Sequence, residues 1–305
     1  MTQAKTILIA GGSGFLGKAL ASHFNDAGAE VHILTRGDCK THKGVHYHHW
    51  DGTALGPWTD LLEKADVLIN LAGKSVNCRY TKANKAEILK SRTKTTHTLS
   101  EALARAETPP KVWLNASTAT IYADSKDAPN DDETHHIGNG FSVSVARSWE
   151  NALFSAPHPG VRKVALRTAM VLGEAENSVY PVLKRQTRFG LGGHHGSGQQ
   201  MVSWIHIEDF IRAIVFVIEN DELAGPINIA APAPVTDATF MSVFRKTLHA
   251  PFGIPTPKPI LKLGAFLLRT EPELILKSRN VIPSRLLKHR FQFKYPFIDE
   301  ALASL

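Results

Sequence analysis

The chain is poor in cysteine: Cys39 and Cys78 are the only two in 305 residues, and neither sits in a CxxC pair. That excludes a disulfide framework and leaves both as reduced thiols. No apolar run reaches the roughly 18 residues that a membrane-spanning helix requires. The most apolar stretches, ALRTAMVLG and IRAIVFVI, are short and broken by arginine or polar residues, so they read as a buried strand and an amphipathic helix. A secretory pattern is also missing, because a strand (TILIA) begins at Thr6 with no basic segment, long apolar segment or cleavage site before it. We therefore expect a cytoplasmic protein with no membrane partner. There is no contiguous Lys/Arg block, although the formal charge is +7 and the pI about 9.4. Basic residues are scattered, with Lys82, Lys85, Lys90, Arg92 and Lys94 on one expected helix and others between Lys277 and Arg290. No nucleic-acid partner is expected; a basic RNA-binding surface, the remote alternative, would show as steep salt dependence. Internal repeats and low-complexity tracts are absent too.

The chain has 43% hydrophobic and 21% charged residues, the balance of an ordinary soluble globular protein. Its length suits one large domain with a smaller lobe. The first half alternates short apolar runs with helix-like segments: TILIA, then Phe15 to Ala27; EVHILT; DVLINLA, then Thr81 to Ala104; and KVWLNAS. Strand and helix in alternation predict the α/β class, with a Rossmann-type doubly wound parallel sheet whose ligands gather beyond the carboxyl ends of its strands. Past Arg167 the texture changes to a glycine-rich stretch (Phe189 to Gly198), then SWIHIEDF, then a proline-punctuated helical tail from Pro251. The predicted division is a nucleotide-binding domain over 1–170, with 203–230 returning to it, and a smaller C-terminal substrate lobe over 171–305 that includes a helical part from about 251. The glycine-rich stretch reads equally as a loop near substrate or as a surface turn.

TILIA runs directly into GGSGFLG, which places Gly11, Gly14 and Gly17 in a GxxGxxG spacing ahead of a helix. Such a turn needs Gly11 to bend tightly, Gly14 to let backbone approach a pyrophosphate, and Gly17 to let the helix pack closely. The pyrophosphate then meets the unpaired N–H groups and positive dipole end of the helix, which predicts a dinucleotide held by Gly11, Ser13, Gly14, Phe15, Leu16 and Gly17. The second strand ends in Thr35-Arg36, where an NAD-selective site carries Asp or Glu for the ribose hydroxyls. A guanidinium there suits a 2′-phosphate and an acid would repel one, so the predicted cofactor is NADP(H), with Arg36 as a solvated surface charge the alternative.

Together these residues resemble the extended short-chain dehydrogenase/reductases, the nucleotide-sugar epimerase and dehydratase superfamily. NLAG (Asn70 to Gly73) looks like that superfamily's NxAG element, which implies cofactor contacts near the ribose from Leu71, Ala72 and Gly73. Asp51 is similar to the acid that meets the adenine amino group, and Thr118, in STATIY, takes the place of the hydroxyl that touches the reacting oxygen. ALRTAMVLG, with Arg167, resembles the segment flanking the nicotinamide. More narrowly, RYTKANKAEILKSRTKTTHTL, FGLGGHHGSGQQMVSWIHIEDF and LLKHRFQFKYPFIDEAL resemble an epimerase-like subfamily typified by the bacterial YfcH protein, whose members carry a C-terminal domain of unknown function. The resemblance runs from Lys5 to Leu302. It implies a small-molecule substrate and a homodimer built through two helices.

Working members of the superfamily use a YxxxK pair, because an unassisted phenol has a pKa near 10 and is a poor base at neutral pH. At the expected place, on the helix containing FSVSVARSWENA, stand Ser142 and Ala146. The string Tyr122-Ala-Asp-Ser-Lys126 matches YxxxK but follows a strand only four residues after Thr118, so it falls in a loop. Tyr122 is then either an aromatic that packs or contacts substrate, or a proton donor brought in by unusual loop geometry. Asp132, Glu133, His135 and His136, with Arg147, are further acid–base candidates, or a solvated turn. His46 and His48 share one face of a strand but lack a third ligand, so no metal is expected. His206 and Asp209 read as a strand-to-helix junction.

The sequence therefore predicts an NADP(H)-binding, epimerase-like oxidoreductase lacking the usual tyrosine and lysine. Thr118 would polarise a carbonyl or hydroxyl, and the missing general acid–base would lower turnover by about 10²–10⁴. The alternative is a non-catalytic NADP(H)-binding sensor or regulatory protein.

Overall fold

A computed structural model describes residues 5–133, 136–261 and 277–305. Strands β1 (Thr6–Ala10), β2 (Glu30–Thr35), β3 (Lys40–His42), β4 (Val45–His49), β5 (Val67–Asn70), β6 (Val112–Thr118) and β7 (Arg162–Thr168) follow in chain order. Next come β8 (Met170–Leu172), β9 (Met201–Val202), β10 (Trp204–His206), β11 (Gly225–Ile229) and β12 (Val235–Thr236). One eight-stranded sheet has the order β11-β7-β6-β5-β1-β2-β4-β3, and only the β3–β4 pair is antiparallel. The chain works outward from β1 through β2 to β4, then crosses to β5 on the other side of β1. That reversal leaves a crevice above the carboxyl ends of β1 and β5.

Helices α1 (Phe15–Asp26), α2 (Lys82–Leu103), α3 (Phe141–Phe154), α4 (Val179–Gln186), α5 (Ile207–Glu219) and α6 (Asp237–Thr247) complete the frame. Side chains alternate across a strand, so β1 feeds two cores. Ile7 and Ile9 pack with Leu20 and Phe24 of α1 and Phe210, Ile214 and Val217 of α5. Leu8 and Ala10 pack on the opposite face with Leu99 and Leu103 of α2 and Leu153 of α3. Each large apolar side chain so enclosed contributes about 1.5–3 kcal/mol. The 3–4 spacing of Phe210, Ala213, Ile214, Val217 and Ile218 on α5 supplies the stripe that such burial requires.

A third core, formed by Leu172, Tyr180, Trp204, Phe240, Phe244, Ile298 and Leu302, belongs to the smaller lobe. The run read as one strand, ALRTAMVLG, divides between the sheet and this lobe. Strand β7 is flanked by β6 and β11, and after the Ala169 amide bonds the Ile229 carbonyl (3.0 Å), β8 leaves to pair with β10. In the tail, Leu286 and Phe291 join the first core while Ile298 and Leu302 join the third, so the last residues bind both. The middle of the expected C-terminal helical part, 262–276, lies outside the described residues. No helix among the described residues is long and apolar enough to cross a membrane.

Strand pairing gathers three histidines that VHYHH by itself does not bring together. His46 and His48 of β4 share a face with His32 of β2, and the rings lie 5.2 and 5.1 Å from that of His32. His32 Nδ1 bonds His48 Nε2 (3.0 Å) and its Nε2 bonds Glu30 (3.0 Å). Burial lowers the pKa of His32 against the opposing pull of Glu30; burial together with the other two rings lowers that of His48. A histidine held neutral in the fold but free to protonate when unfolded stabilises above its ordinary pKa and loses that contribution as pH falls. We expect the melting temperature to drop between about pH 7.5 and about pH 5.5, and the drop to flatten in a His32→Leu, His48→Leu variant. A profile in wild type that is flat, or that rises on acidification, overturns this account.

Candidate functional site

The turn after β1 is defined by contacts that exclude side chains. Gly11 has φ +72°, and a Cβ on it would lie 2.6 Å from the Ala72 Cα. A Cβ on Gly17 would lie 2.4 Å from the Gly12 Cα, so the first turn of α1 rests on the turn's own backbone. Gly14 is the opposite case: nothing lies within 4 Å of where its Cβ would be. It caps α1 without a side-chain bond, and the first-turn bond runs from the Lys18 amide to the Gly14 carbonyl. The amides of Phe15, Leu16 and Gly17 therefore precede the helical ladder, with no acidic residue in that turn. An open space over unpaired amides fits a pyrophosphate.

Beside this cradle, Thr35 Oγ1 donates to Ser13 Oγ (3.3 Å), and the Gly11 and Trp50 amides bond the Leu34 and Thr35 carbonyls. Arg36 follows, exposed, with no ion pair among the described residues. Asp51 accepts from the Thr53 and Ala54 amides (2.7 and 2.8 Å), bonds that hold its pKa below the usual carboxylate value.

On the other side of β1, the Leu71 amide bonds the Ala10 carbonyl (2.8 Å), so Leu71, Ala72 and Gly73 wall the same crevice. Asn70 Oδ1 accepts from the Ala72 amide (3.0 Å), and its Nδ2 donates to Asn115 (2.7 Å) and Thr96 (3.1 Å). Beneath that wall lies Arg92, one of the basic residues scattered along the sequence. Its position four residues after Ile88 and seven before Leu99 places it on the inner stripe of α2, a signal the periodicity did carry. Arg92 Nη1 donates to the Lys74 and Ile88 carbonyls (both 3.0 Å), and its Cζ stands 5.0 Å from the centre of the Trp149 ring. Burial brings its pKa down to about 10.

Thr118 ends β6, half-buried. Its hydroxyl accepts from the Thr120 amide (3.2 Å) and donates to Thr120 Oγ1 (3.1 Å). At the place of the expected tyrosine, Ser142 Oγ is buried without a hydrogen-bond partner. At the place of the lysine, Ala146 is fully enclosed with Ala119, Ile121 and Tyr122. Tyr122, read as either a packing aromatic or a proton donor, lies in the core. Only 3% exposed, it donates to Asn228 Oδ1 (2.8 Å) and accepts from Arg167 Nη1 (3.0 Å). Burial raises its pKa against the opposing pull of Arg167. The side chain of Arg167 likewise turns from the cofactor crevice into the core: it is 6% exposed and grips Glu150 through Nε (2.9 Å) and Nη2 (2.8 Å). Burial opposes its charge, but the two bonds and the charge of Glu150 outweigh that and raise its pKa. Glu150 also accepts from Ser117 (2.6 Å).

The chain of bonds continues from Asn228, whose amide donates to Asp132; that carboxylate also accepts from Ser284 Oγ (3.0 Å) and the Arg285 amide (2.9 Å). Burial raises the pKa of Asp132, but its oxygens are committed to tying the tail to the sheet. His136 is exposed, Arg147 is exposed, and Glu133 pairs with Lys288 at the surface; His135 lies outside the described residues. His206 caps α5 by accepting from the Glu208 amide (3.1 Å), and Asp209 accepts from the Lys294 and Tyr295 amides (both 2.8 Å).

The Glu150–Arg167 pair gives a direct test. Arg167→Met strands a buried carboxylate and should cost about 3–5 kcal/mol in denaturant unfolding, against about 1–3 kcal/mol for Tyr122→Phe. Equal, small losses would show the network to be dispensable.

The comparisons with known proteins agree with this geometry. The sequence pattern of the NAD dependent epimerase/dehydratase family matches residues 7–230, and a domain of unknown function, DUF1731, matches residues 256–305. The chain is 33% identical to an epimerase family protein of Mycobacterium leprae, over 97% of this chain and 94% of that one. It is 32% identical to the epimerase family protein YfhF of Bacillus subtilis, over 98% and 97%. Among solved structures it resembles the human epimerase family protein SDR39U1 (isoform2) with NADPH, with a TM-score of 0.85, 29% identity and 98% of each chain covered. With its doubly wound sheet, its glycine turn and a match across nearly three quarters of its length, this chain belongs to the NAD dependent epimerase/dehydratase family.

Proposed function

We propose that this protein binds NADP(H) and acts as an oxidoreductase or epimerase-type enzyme on a small molecule. The observation that carries the reading is the pairing of an open cradle over the α1 amides with a guanidinium, Arg36, where an NAD site needs an acid. That the human relative's structure was determined with NADPH supports the choice. The adenosine half would lie over β2 and β4 beside Thr35, Arg36 and Asp51, and the pyrophosphate over Gly14 to Gly17. When bound, the nicotinamide supplies hydride chemistry.

The chain's own part is to orient substrate, exclude water and polarise oxygen. Thr118, half-buried at the carboxyl end of β6, is the hydroxyl available for the last task. Solvent supplies the proton, because Ser142 is too weak an acid and Tyr122 is sealed in the core. The enclosure of Ala146 favours a second reading, a redox sensor that binds NADP(H) without turnover. The two part on one measurement. NADPH oxidation above background with a carbonyl or enone, or an altered nucleotide sugar recovered after incubation with the NADP-loaded protein, supports the enzyme; tight binding with neither leaves the sensor.

Cofactor choice is tested at Arg36. Arg36→Asp should weaken NADPH on the order of 100-fold, through loss of a charge-assisted bond and added repulsion, and leave NADH nearly unchanged. An equal loss for both removes the argument for NADP. In the turn, Gly14→Ala should weaken both dinucleotides more than about tenfold while changing stability by only about 1 kcal/mol. Gly17→Ala should instead destabilise the fold, since its Cβ strikes backbone.

A further inference from the structure

The places of the usual tyrosine and lysine on α3 hold Ser142 and Ala146, yet a phenol and a fixed cation stand beside them, supplied by α2 and the segment that leads into it. Tyr80 immediately precedes Thr81, the cap of α2, and is half-buried where Tyr122 is sealed. Its ring meets that of Phe141, the residue before Ser142, edge-on with 5.0 Å between centres. The segment between β5 and α2 is pinned along its length. The Lys74 amide donates to Ser91 Oγ (2.9 Å), and the Thr81 amide bonds the Arg79 carbonyl (2.9 Å). Asn84 donates to that same carbonyl (2.7 Å) and accepts from Lys74 Nζ (2.9 Å). Bonds before and after Tyr80 therefore set it against the start of α3.

Arg92 supplies the charge. Two carbonyls and the Trp149 ring hold its guanidinium in place. Burial weakens its charged form, and the groups that oppose this are the Tyr80 phenol and the Cys78 thiol, with no carboxylate among them. Such an interaction is mutual: a cation that gains from a phenolate makes that phenolate easier to form. The other charged groups around Tyr80 are Lys85 of α2, 5.2 Å from the centre of the Phe141 ring, and Arg79 of the leading segment; α3 contributes Phe141, which carries no charge.

We infer that Tyr80 delivers the proton to the substrate oxygen, with Arg92 as the positioning cation that keeps its phenolate form within reach. The inference rests on the enzyme reading above and deepens it: solvent remains the source of the proton, and Tyr80 carries it the last step. When a substrate carbonyl carbon accepts hydride from the nicotinamide, the π electrons of the C=O bond move to oxygen. The Tyr80 O–H bond then breaks, a new O–H bond forms on the substrate, and the phenolate left beside Arg92 takes a proton back from water. An ordinary phenol, with a pKa near 10, is a poor group for this at neutral pH, and a nearby fixed cation is the physical remedy.

Phenol ionisation is read by ultraviolet difference absorbance, without any substrate. Tyr80 is one of five tyrosines, so the wild-type titration minus that of Tyr80→Phe isolates it. Its phenolate should form below about pH 9, and about one pH unit or more higher in Arg92→Met. Arg92→Lys, which restores the charge, should recover part of that shift. A transition at pH 10 or above in wild type, or one that Arg92→Met leaves unmoved, overturns the inference. Tyr80→Phe should bind NADPH within about twofold of wild type, so that any loss lies in the proton step. With whichever carbonyl, enone or nucleotide sugar the wild type turns over, Tyr80→Phe should lower kcat about 10²–10⁴-fold and leave KM within about threefold. Turnover retained by Tyr80→Phe sinks the inference and leaves the enzyme reading intact; no turnover by wild type sinks both.

Discussion

The contact of Gly17 with the backbone of Gly12 sets the geometry of the nucleotide site. Because no Cβ intervenes, α1 starts directly over the end of β1 and aims its first amides into the crevice. Gly11 makes the matching approach to Ala72 and draws the loop after β5 against the same turn. Two strands on opposite sides of the chain's reversal are thus joined by backbone contacts with no side chain to adjust. A site built this way is preorganised before any ligand arrives, which is what close positioning of a reacting ring requires.

Helices α2 and α3 carry the second set of constraints, and they treat two arginines in opposite ways. Arg167 reaches α3 from β7 and finds Glu150 in a two-bond pair, with Tyr122 closing the third side. Buried ion pairs of this kind contribute little net stability over an apolar replacement but are costly to break singly, so they fix how elements meet. Arg92 also stands between α2 and α3, yet has aromatic and carbonyl neighbours in place of a carboxylate. One cation is neutralised by a carboxylate inside the protein; the other is held by two carbonyls and an indole ring.

The tail extends the same logic over long sequence separations. Asp132 accepts bonds from Asn228, Ser284 and Arg285, joining the loop after β6, strand β11 and the last segment of the chain. Leu286 and Phe291 add apolar contacts to the main core. The residues after 277 are therefore part of the frame that holds β11 and the loop beyond Thr118 in register, besides closing the smaller lobe.

Local rules made much of this legible. Alternating strands and helices indicated the sheet, the GxxGxxG spacing placed the cradle, and Arg36 stood where an acid would otherwise be, because each signal depends on neighbours a few residues apart. The turn of Tyr122 into a core, the commitment of the Arg167 guanidinium to Glu150, the three-histidine cluster across β2 and β4, and the seating of Arg92 between two carbonyls and the Trp149 ring were decided by tertiary structure. Each depends on partners brought together by strand order and helix packing: Tyr122 meets Asn228 across 106 residues of chain, and Trp149 reaches Thr96 beside Arg92 across 53. Periodicity could mark Arg92 as facing inward, but whether an inward charge meets a carboxylate or carbonyls and an aromatic face is settled only when the helices pack.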